Sequence, residues 1–319
     1  MIRALLLTGI FFVTTVLAAT DTYPNKPVHI IVPFVPGGPT DNQGRWAAQQ
    51  LNQAFGQAFI IENKPGGGGV PGSDFVAKSV PDGYTLLAGN PGPLTVAPAV
   101  KSQMPYDTLK DFVPVMLIAR SASCLAIHPS VPAKNLQEFI QYAKQNPNKV
   151  NYGSPGYGTV GHLGVELFAT HVGIKLNHVP YKGASQYLND LLAGHIDLAI
   201  VQFAACEPLL KQGKLRALGA TSEKRSALLP DLPTLAEQGL KGFQSYNWNG
   251  VLAPAGTSKE IVQKIYQILS KQIALPENQK IFLDQGHEPR TDSPEEFAEF
   301  LKNERLRMAK VAKEANIHE

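Results

Sequence analysis

The sequence has few of the groups that carry enzymatic chemistry or bind nucleic acids. Charged residues make up 17% of the chain, below the ~25% of an average globular protein. The net charge is +3 and no run of basic residues occurs, which argues against nucleic acid or an anionic membrane surface as a partner. No Gly-x-Ser-x-Gly, Ser-x-x-Lys or Walker sequence is present. We therefore expect small molecules or other proteins as partners.

Cysteine is equally scarce, with Cys124 and Cys206 alone. The two could form a disulfide in an oxidising compartment, but each lies in an apolar, strand-like context that also suits a buried free thiol. The sequence leaves both states open. Isolated histidines such as His128 and His178 lack the spacing of metal ligands, and two distant cysteines make no zinc site. We expect no metal and no cofactor.

A long apolar run occurs at the start of the chain. Arg3 precedes the stretch from Ala4 to Leu17, and the small residues Ala18 and Ala19 follow it. The stretch is shorter than the ~20 residues that a membrane span needs, and its pattern is typical of a secretory signal. We expect residues 1–19 to be a signal peptide, cleaved after Ala18 or Ala19, and the mature protein to be exported.

Apolar runs of strand length alternate with helical patterns along the rest of the chain, which favours mainly parallel sheets flanked by helices. Capping sequences predict helix starts at Thr40, Asn135, Thr257 and Ser293. Hydrophobic residues make up 44% of a chain that is long for one globule, so two domains are expected. The extended stretches 112–123 and 215–222 suit crossovers between two lobes, although ordinary strands with loops would also fit.

Three glycine-rich turns follow predicted strands, at 34–41, 62–73 and 152–159. Turns of this kind present backbone N–H groups at the start of a helix, where carboxylate or phosphate binds favourably. Residues 67–72 and 156–161 also fit the Gly-x-Gly-x-x-Gly pattern of dinucleotide sites. Neither has the acidic residue about 20 positions later that would bind a ribose, so a nucleotide enzyme is disfavoured.

Longer motifs resemble one family along most of the chain. The segment 23–27 (YPNKP) is followed by 32–38 (VPFVPGG), then by 62–66 (ENKPG) and 81–87 (PDGYTLL). Further matches, in the same order and spacing, are HVPYKG at 178–183, GKLRAL at 213–218, LPDLPT at 229–234 and APAGT at 253–257. The chain resembles the Bug-type solute-binding receptors of tripartite tricarboxylate transporters.

The resemblance implies a periplasmic binding protein of type II, with two α/β lobes that close on a ligand in the cleft between them. Lobe 1 would comprise residues 20–120 and 221–319, and lobe 2 residues 121–220. In such receptors, backbone amides of loops from both lobes bind a small carboxylated molecule. The implied ligand-binding residues are Phe34, Gly38, Pro39, Thr40, Asp41, Asn90, Pro91, Gly92, Ser154, Gly156, Tyr157, Gly158, Thr159, His162, Tyr181, Val201, Gln202 and Phe203.

One departure from the family pattern bears on specificity. Many members carry an acidic residue at about the position of Val201, where it could pair with the amino group of a ligand. Val201 cannot do so, which favours a plain mono- or dicarboxylate over an amino acid. Gln202 beside it could donate to or accept from an uncharged part of the ligand, or point into water.

The resemblance therefore implies a monomeric, non-catalytic periplasmic receptor that delivers a carboxylate to the membrane components of a tripartite tricarboxylate transporter. An alternative is a ligand-sensing receptor for a membrane sensor kinase. A second alternative is a periplasmic hydrolase, with Ser154 as nucleophile and His162 as base. Both residues also have structural explanations, since Ser154 could satisfy a loop and His162 could pack within its helix.

Overall fold

The computed structural model describes residues 23–318, apart from 122 and 182. The predicted signal peptide lies outside the described residues. In chain order, the strands are β1 (Val28–Val32), β2 (Phe59–Asn63), β3 (Thr85–Gly89), β4 (Phe112–Ser121), β5 (Ser123–Ile127), β6 (Asn151–Ser154), β7 (Asn177–Pro180), β8 (Leu198–Gln202), β9 (Arg216–Ala220), β10 (Asn247–Pro254) and β11 (Glu288–Asp292). The helices are α1 (Pro39–Phe55), α2 (Val70–Ala77), α3 (Ala97–Val100), α4 (Leu136–Gln145), α5 (Val160–Val172), α6 (Ala184–Ala193), α7 (Phe203–Lys211), α8 (Lys259–Ile273), α9 (Pro276–Asp284) and α10 (Pro294–Glu314). Short helical turns occur at Gly67–Gly69 and Gly92–Val96.

The strands form two mixed sheets, of six strands in the order β11-β4-β10-β3-β1-β2 and of five in the order β7-β6-β8-β5-β9. In the first sheet, β1 runs parallel to β2 and β3. Strand β10 runs antiparallel to both β3 and β4, and β11 runs antiparallel to β4. In the second, β6 runs parallel to β7 and β8, and β5 runs antiparallel to β8 and β9. The predicted two-lobe α/β fold is confirmed. Both sheets are mixed, because β10 and β11 run opposite to the other four strands of the larger sheet and β5 runs opposite to the other four of the smaller one.

Helix starts follow the predicted capping sequences closely. Asn135 and Ser293 each accept a hydrogen bond from the backbone N–H three residues later, at the starts of α4 and α10. Helix α8 begins after Ser258, one residue beyond the predicted Thr257. Helix α1 begins at Pro39, so Thr40 lies inside its first turn instead of capping it. None of the described helices has an apolar stretch long enough to cross a membrane.

The chain crosses between the sheets at two neighbouring places. Strand β4 ends at Ser121 in the larger sheet, and β5 begins at Ser123 in the smaller one. The return leads from β9, which ends at Ala220, to β10, which begins at Asn247. The first crossing lies within the predicted stretch 112–123.

The second crossing lies later than the predicted stretch 215–222. Leu235, Leu240 and Phe243 follow β9 and pack in the core of the smaller lobe, against helices α4 and α5 among others. More of the chain therefore packs with lobe 2 than residues 121–220 alone. The exact division of the chain between two folding units stays a prediction.

Cys124 and Cys206 form a disulfide. Cys124 lies on β5 and Cys206 on α7, and both are fully buried. The bond therefore attaches α7, which begins directly after β8, to the neighbouring strand β5 of the smaller sheet.

We predict that replacing both cysteines, as in Cys124→Ala with Cys206→Ala, lowers the free energy of unfolding. The bond closes 82 residues of sequence, and a disulfide of this kind contributes ~2–4 kcal/mol. Urea titration followed by circular dichroism measures the change. As a control, wild type is unfolded, reduced and refolded. Without its disulfide it should have the same free energy of unfolding as the double variant. Equal stability of the double variant and the oxidised wild type would contradict the prediction.

Candidate functional site between the lobes

Two adjoining cavities lie between the lobes and share Val160 and Asn247 as lining residues. The larger, of about 440 Å³, is lined by Phe34, Gly67, Gly68, Asn90, Gly92, Ala97, Val100, Lys101, Tyr157, Gly158, Thr159, Val160 and Asn247. The smaller, of about 230 Å³, is lined by Pro39, Ser123, Pro155, Val160, Gly161, Ala184, Tyr187, Leu188, Ile200, Val201, Gln202, Ala205, Ser245, Tyr246 and Asn247. Both lobes contribute to each wall.

On the lobe 1 side, a chain of hydrogen bonds fixes the loop that follows β3. The Thr40 hydroxyl donates to Asn249 Oδ1 at 2.8 Å, and Asn90 Nδ2 donates to Thr40 Oγ1 at 2.9 Å. Asn90 Oδ1 in turn accepts from the backbone N–H of Gly92 at 3.0 Å. The start of α1, strand β10 and the loop after β3 are thereby joined, and Asn90 and Gly92 hold their places in the cavity wall.

Asp41 is 1% exposed and is bonded within its own lobe. Its carboxylate accepts from the Gly37 N–H at 2.9 Å, from Arg45 Nε at 2.8 Å and from Asn63 Nδ2 at 2.8 Å. Burial alone would raise the pKa of Asp41, but the bonds from Arg45, Gly37 and Asn63 outweigh burial and lower the pKa. The residue is thus a fixed anion that shapes the first glycine turn.

On the lobe 2 side, the loop between β6 and α5 needs glycine at two positions. Gly156 has φ 140° and Gly158 has φ 64°, which are conformations that other residues rarely adopt. A Cβ atom on Gly158 would also lie 3.2 Å from Val100 Cγ2 in the other lobe. The loop therefore approaches lobe 1 through a bare backbone.

The electrostatics of the walls favour an anion. Pro39 begins α1, and Val160 and Gly161 begin α5, and all three line the smaller cavity. The N–H groups of a first helical turn have no intrahelical acceptor and carry partial positive charge. Pro39 itself has no N–H, so in α1 these groups belong to the residues that follow it. Among the described residues that line the two cavities there is no Asp or Glu, while Lys101 adds a cation.

Half of the implied ligand-binding residues line one cavity or the other: Phe34, Pro39, Asn90, Gly92, Tyr157, Gly158, Thr159, Val201 and Gln202. The remainder do not line either cavity: Gly38, Thr40, Asp41, Pro91, Ser154, Gly156, His162, Tyr181 and Phe203. Contact with a ligand stays a prediction for all of them.

Several of the residues that do not line the cavities have partners within the protein. Phe203 is 1% exposed and packs in the apolar core beside the disulfide. The Tyr181 hydroxyl donates to Asp190 Oδ2 at 2.6 Å, and the Pro91 carbonyl accepts from the Thr95 hydroxyl at 3.1 Å.

The structure does not pair Ser154 with His162 as a nucleophile and base. Ser154 Oγ lies 2.7 Å from His178 Nε2, and His162 Nδ1 accepts from the Gly158 N–H at 3.0 Å. No described group of three or more His, Cys, Asp or Glu residues is arranged to hold a metal ion.

Several lining residues were missed by sequence reasoning. Asn247, in both cavities, and Ser245 come from the second crossing, and Ser123 comes from the first. Lys101 follows the short helix α3. The polar sequence around Asn247, between two aromatic residues, was the one signal that could have pointed to the crossing.

His162 and His178 stack beneath the lobe 2 loop. Their ring centroids are 4.0 Å apart, at an interplanar angle of 12°. Burial, and then the charge that His178 could carry, lower the pKa of His162 to about 3. Burial lowers the pKa of His178 to about 4. Both rings are therefore neutral near pH 7.

Comparison with known proteins assigns the chain to a family. The model of the tripartite tricarboxylate transporter family receptor, TctC, matches residues 44–317. The chain belongs to this family. The resemblance seen in its motifs is thus confirmed.

Relatives match over nearly their whole length. Protein BugT of Bordetella pertussis is 35% identical over 318 residues, which are 98% of each chain. The structure of Rpa4515 of R. palustris with adipate is 37% identical, with a TM-score of 0.80 over 93% of this chain and 99% of that one. MatC of Rhodopseudomonas palustris with bound malate is 31% identical, with a TM-score of 0.75 over 91% and 99% of the two chains.

Membership settles the class of protein. The family consists of periplasmic solute-binding receptors, which are not enzymes, so the prediction of a non-catalytic receptor is confirmed and the hydrolase alternative is excluded.

We predict that Gly158→Ala weakens solute binding, because the added Cβ strains the backbone and displaces Val100. Gly173→Ala is a matched control. Gly173 also has positive φ, 67°, and follows the last residue of α5, the helix that begins after the Gly158 loop, but a Cβ atom added there would lie in open space. Both variants should lose ~1 kcal/mol of stability from strain. Calorimetric titration should show reduced affinity in Gly158→Ala alone. Equal affinities in the two variants would contradict the prediction.

We predict that acid lowers stability through the stacked histidines. Unfolded histidines take up protons below a pKa of about 6.5, whereas the folded pKa values are about 3 and about 4. The unfolded state therefore gains protons first, and stability present above pH 6.5 is lost as the pH falls toward 4. Burial raises the pKa of Glu166, which acts in the opposite direction, so variants must be compared.

The measurement is the urea midpoint at pH 7 and at pH 4.5. The loss at pH 4.5 should be smaller in His178→Phe than in wild type, and His128→Phe serves as the control. An identical loss in wild type and His178→Phe would disprove the role of the stack.

Proposed function

We propose that the protein is a receptor for a small dicarboxylate or monocarboxylate. The observation that carries the proposal is the meeting of the α1 and α5 helix starts at one cavity whose described lining holds no acid. Two helix starts facing one space favour an anionic oxygen group over a neutral or cationic ligand. Rpa4515 with adipate and MatC with malate support a carboxylate as the ligand class.

A dicarboxylate would use both cavities. One carboxylate would accept hydrogen bonds from the first-turn N–H groups of α5, near Gly161 in the smaller cavity. The other would extend toward Lys101 in the larger cavity, past the shared residue Asn247. This placement needs both lobes, so binding would draw them together.

An amino acid would bind less well. Val201 is 1% exposed and lies within the apolar cluster that contains Cys124 and Cys206. An ammonium group at this end of the smaller cavity would be desolvated without an acidic partner, which is costly. Gln202 is half-buried and could hydrogen-bond an uncharged part of the ligand.

The receptor would act as an exported monomer and deliver its ligand to the membrane components of a tripartite tricarboxylate transporter. Family membership supports this partner over a sensor kinase. In this proposal, lobe 1 moves against lobe 2 about the crossings at Ser121–Ser123 and Ser245–Asn247.

Calorimetric titration with adipate, succinate, malate and glutarate tests the proposal. At least one should bind, and ligand at ~100 times its dissociation constant should add about 2.7 kcal/mol to the free energy of unfolding. Aspartate and glutamate should bind more weakly than succinate and glutarate. Binding of none of the acids, or tighter binding of either amino acid than its plain counterpart, would contradict the proposal.

Lys101→Gln supplies a test of charge. It should weaken the tightest dicarboxylate about fivefold, the effect of a partly solvated pair worth ~1 kcal/mol. Lys110→Gln is the control, because the Lys110 side chain is 82% exposed and pairs with Asp107 on the surface of lobe 1. Equal affinities in the two variants would remove Lys101 from the site.

A further inference from the structure

The lobe 2 loop is held by two histidines that face it from beneath. His178 on β7 lies against Ser154, and His162 in the first turn of α5 lies against Gly158. We propose that His178 and His162 are positioning residues, which as neutral tautomers fix the loop 154–159 in the conformation that binds the solute. The role in binding rests on the proposed function; the role in holding the loop does not.

The hydrogen bonds around Ser154 define the tautomer of His178. The Ser154 hydroxyl lies 2.9 Å from the Gly156 carbonyl, which can only accept, and 3.2 Å from the Gly156 N–H, which can only donate. The single hydroxyl proton therefore goes to the Gly156 carbonyl. The contact of 2.7 Å with His178 Nε2 then requires the histidine to donate, so the proton of His178 lies on Nε2.

His162 also carries its proton on Nε2, for a different reason. The Gly158 N–H donates to Nδ1 at 3.0 Å, so Nδ1 must keep its lone pair and the proton lies on Nε2. A protonated His162 would lose this acceptor and leave the Gly158 N–H without it. Each histidine thus holds one glycine of the loop, His178 through Ser154 and Gly156, and His162 directly through Gly158.

The stack keeps the two rings neutral and in place. Because the centroids are 4.0 Å apart, charge on one ring disfavours charge on the other. The ring of Tyr152 lies 4.8 Å from His178, and the ring of Tyr157 lies 4.8 Å from His162. Among the described residues, the carboxylate bonded to this group is that of Glu166, which accepts from the Tyr152 hydroxyl and not from either imidazole.

Such a support matters because the loop is intrinsically free. With glycines at 156 and 158, its unbound chain has many backbone conformations. A loop already held in the binding conformation loses less entropy when the solute binds. Removing the support should lower affinity without removing any contact to the solute.

Two substitutions of His178 separate the hydrogen bond from the stack. His178→Phe keeps an aromatic ring against His162 and Tyr152 but loses the Nε2 donor. His178→Gln keeps a side-chain donor toward Ser154 but loses the ring. We expect His178→Phe to weaken binding of adipate, or of the tightest acid in the panel, about tenfold, and His178→Gln to recover part of the loss.

The double variant Ser154→Ala with His178→Phe tests whether the pair acts as a unit. The affinity of the double variant should be within twofold of that of the weaker-binding single variant, because both changes break the same connection between His178 and Ser154. His128→Phe is the matched control: His128 Nδ1 lies 2.7 Å from Ser130 Oγ, the same kind of pair in the same lobe, away from the cavities. It should leave affinity unchanged.

A readout without solute separates this proposal from the proposed function. Amide exchange at Gly156 and Gly158 should be faster in His178→Phe than in wild type or His128→Phe, and ¹⁵N spectra at pH 7 should show both histidines protonated on Nε2 alone. If wild type binds no acid but these results hold, the proposed function fails and the positioning of the loop stands. Unchanged exchange and affinity in His178→Phe, or a charged or Nδ1-protonated His178 at pH 7, would overturn the proposal.

Discussion

The passage of one extended segment from the first sheet into the second is the constraint on which the rest of the structure depends. Strand β4 ends at Ser121 and β5 begins at Ser123, so the direction of β4 in one sheet dictates that of β5 in the other. Strand β4 runs antiparallel to β10, which begins at the cleft, and β5 runs antiparallel to β8, which ends there. The loops after β1, β3, β6 and β8 consequently open toward the same space, which the cavities between the lobes occupy.

A site built in this way has little need of charged side chains. The carboxylate nearest the first turn, on Asp41, is already bonded to Arg45, Asn63 and a backbone amide. The histidines beneath the second turn are neutral, for reasons of burial and mutual proximity. What remains toward the cavities is helix starts, backbone amides, neutral polar groups and Lys101, a set that complements a small anion and discriminates against cations.

Sequence analysis predicted the walls of the two cavities by segments better than by residues. Glycine turns after strands predicted the loops at Phe34, Gly67 and Tyr157, because a turn that needs positive φ leaves a local signature. Neighbours on one strand end, such as Val201, Gln202 and Phe203, could not be separated, since their side chains point in different directions. Val201 and Phe203 are both 1% exposed, yet Val201 lines the smaller cavity and Phe203 does not.

Contacts that join distant parts of the chain left no such signature. Asn247 and Ser123 reach the cavities through the crossings, and sequence spacing carries no measure of where a crossing falls. The disulfide was one of two open alternatives for the same reason, since it joins positions 82 residues apart. His178 was indistinguishable from a structural histidine until β7 was placed beside β6, which brought Ser154 within reach.

The contact between Gly158 and Val100 connects affinity with lobe geometry. The backbone of the loop between β6 and α5 lies so close to Val100 in the opposite lobe that a single methyl group on Gly158 would crowd them. A solute that bridges the cavities is therefore enclosed only while the lobes keep this approach, and the free energy that it gains from the second lobe depends on it. A ligand can shift the equilibrium between lobe positions only by its difference in affinity for them. Ser154 and the two histidines already fix the amides of the loop, so binding does not have to order it. The difference in affinity between the lobe positions therefore acts on the closing of the lobes.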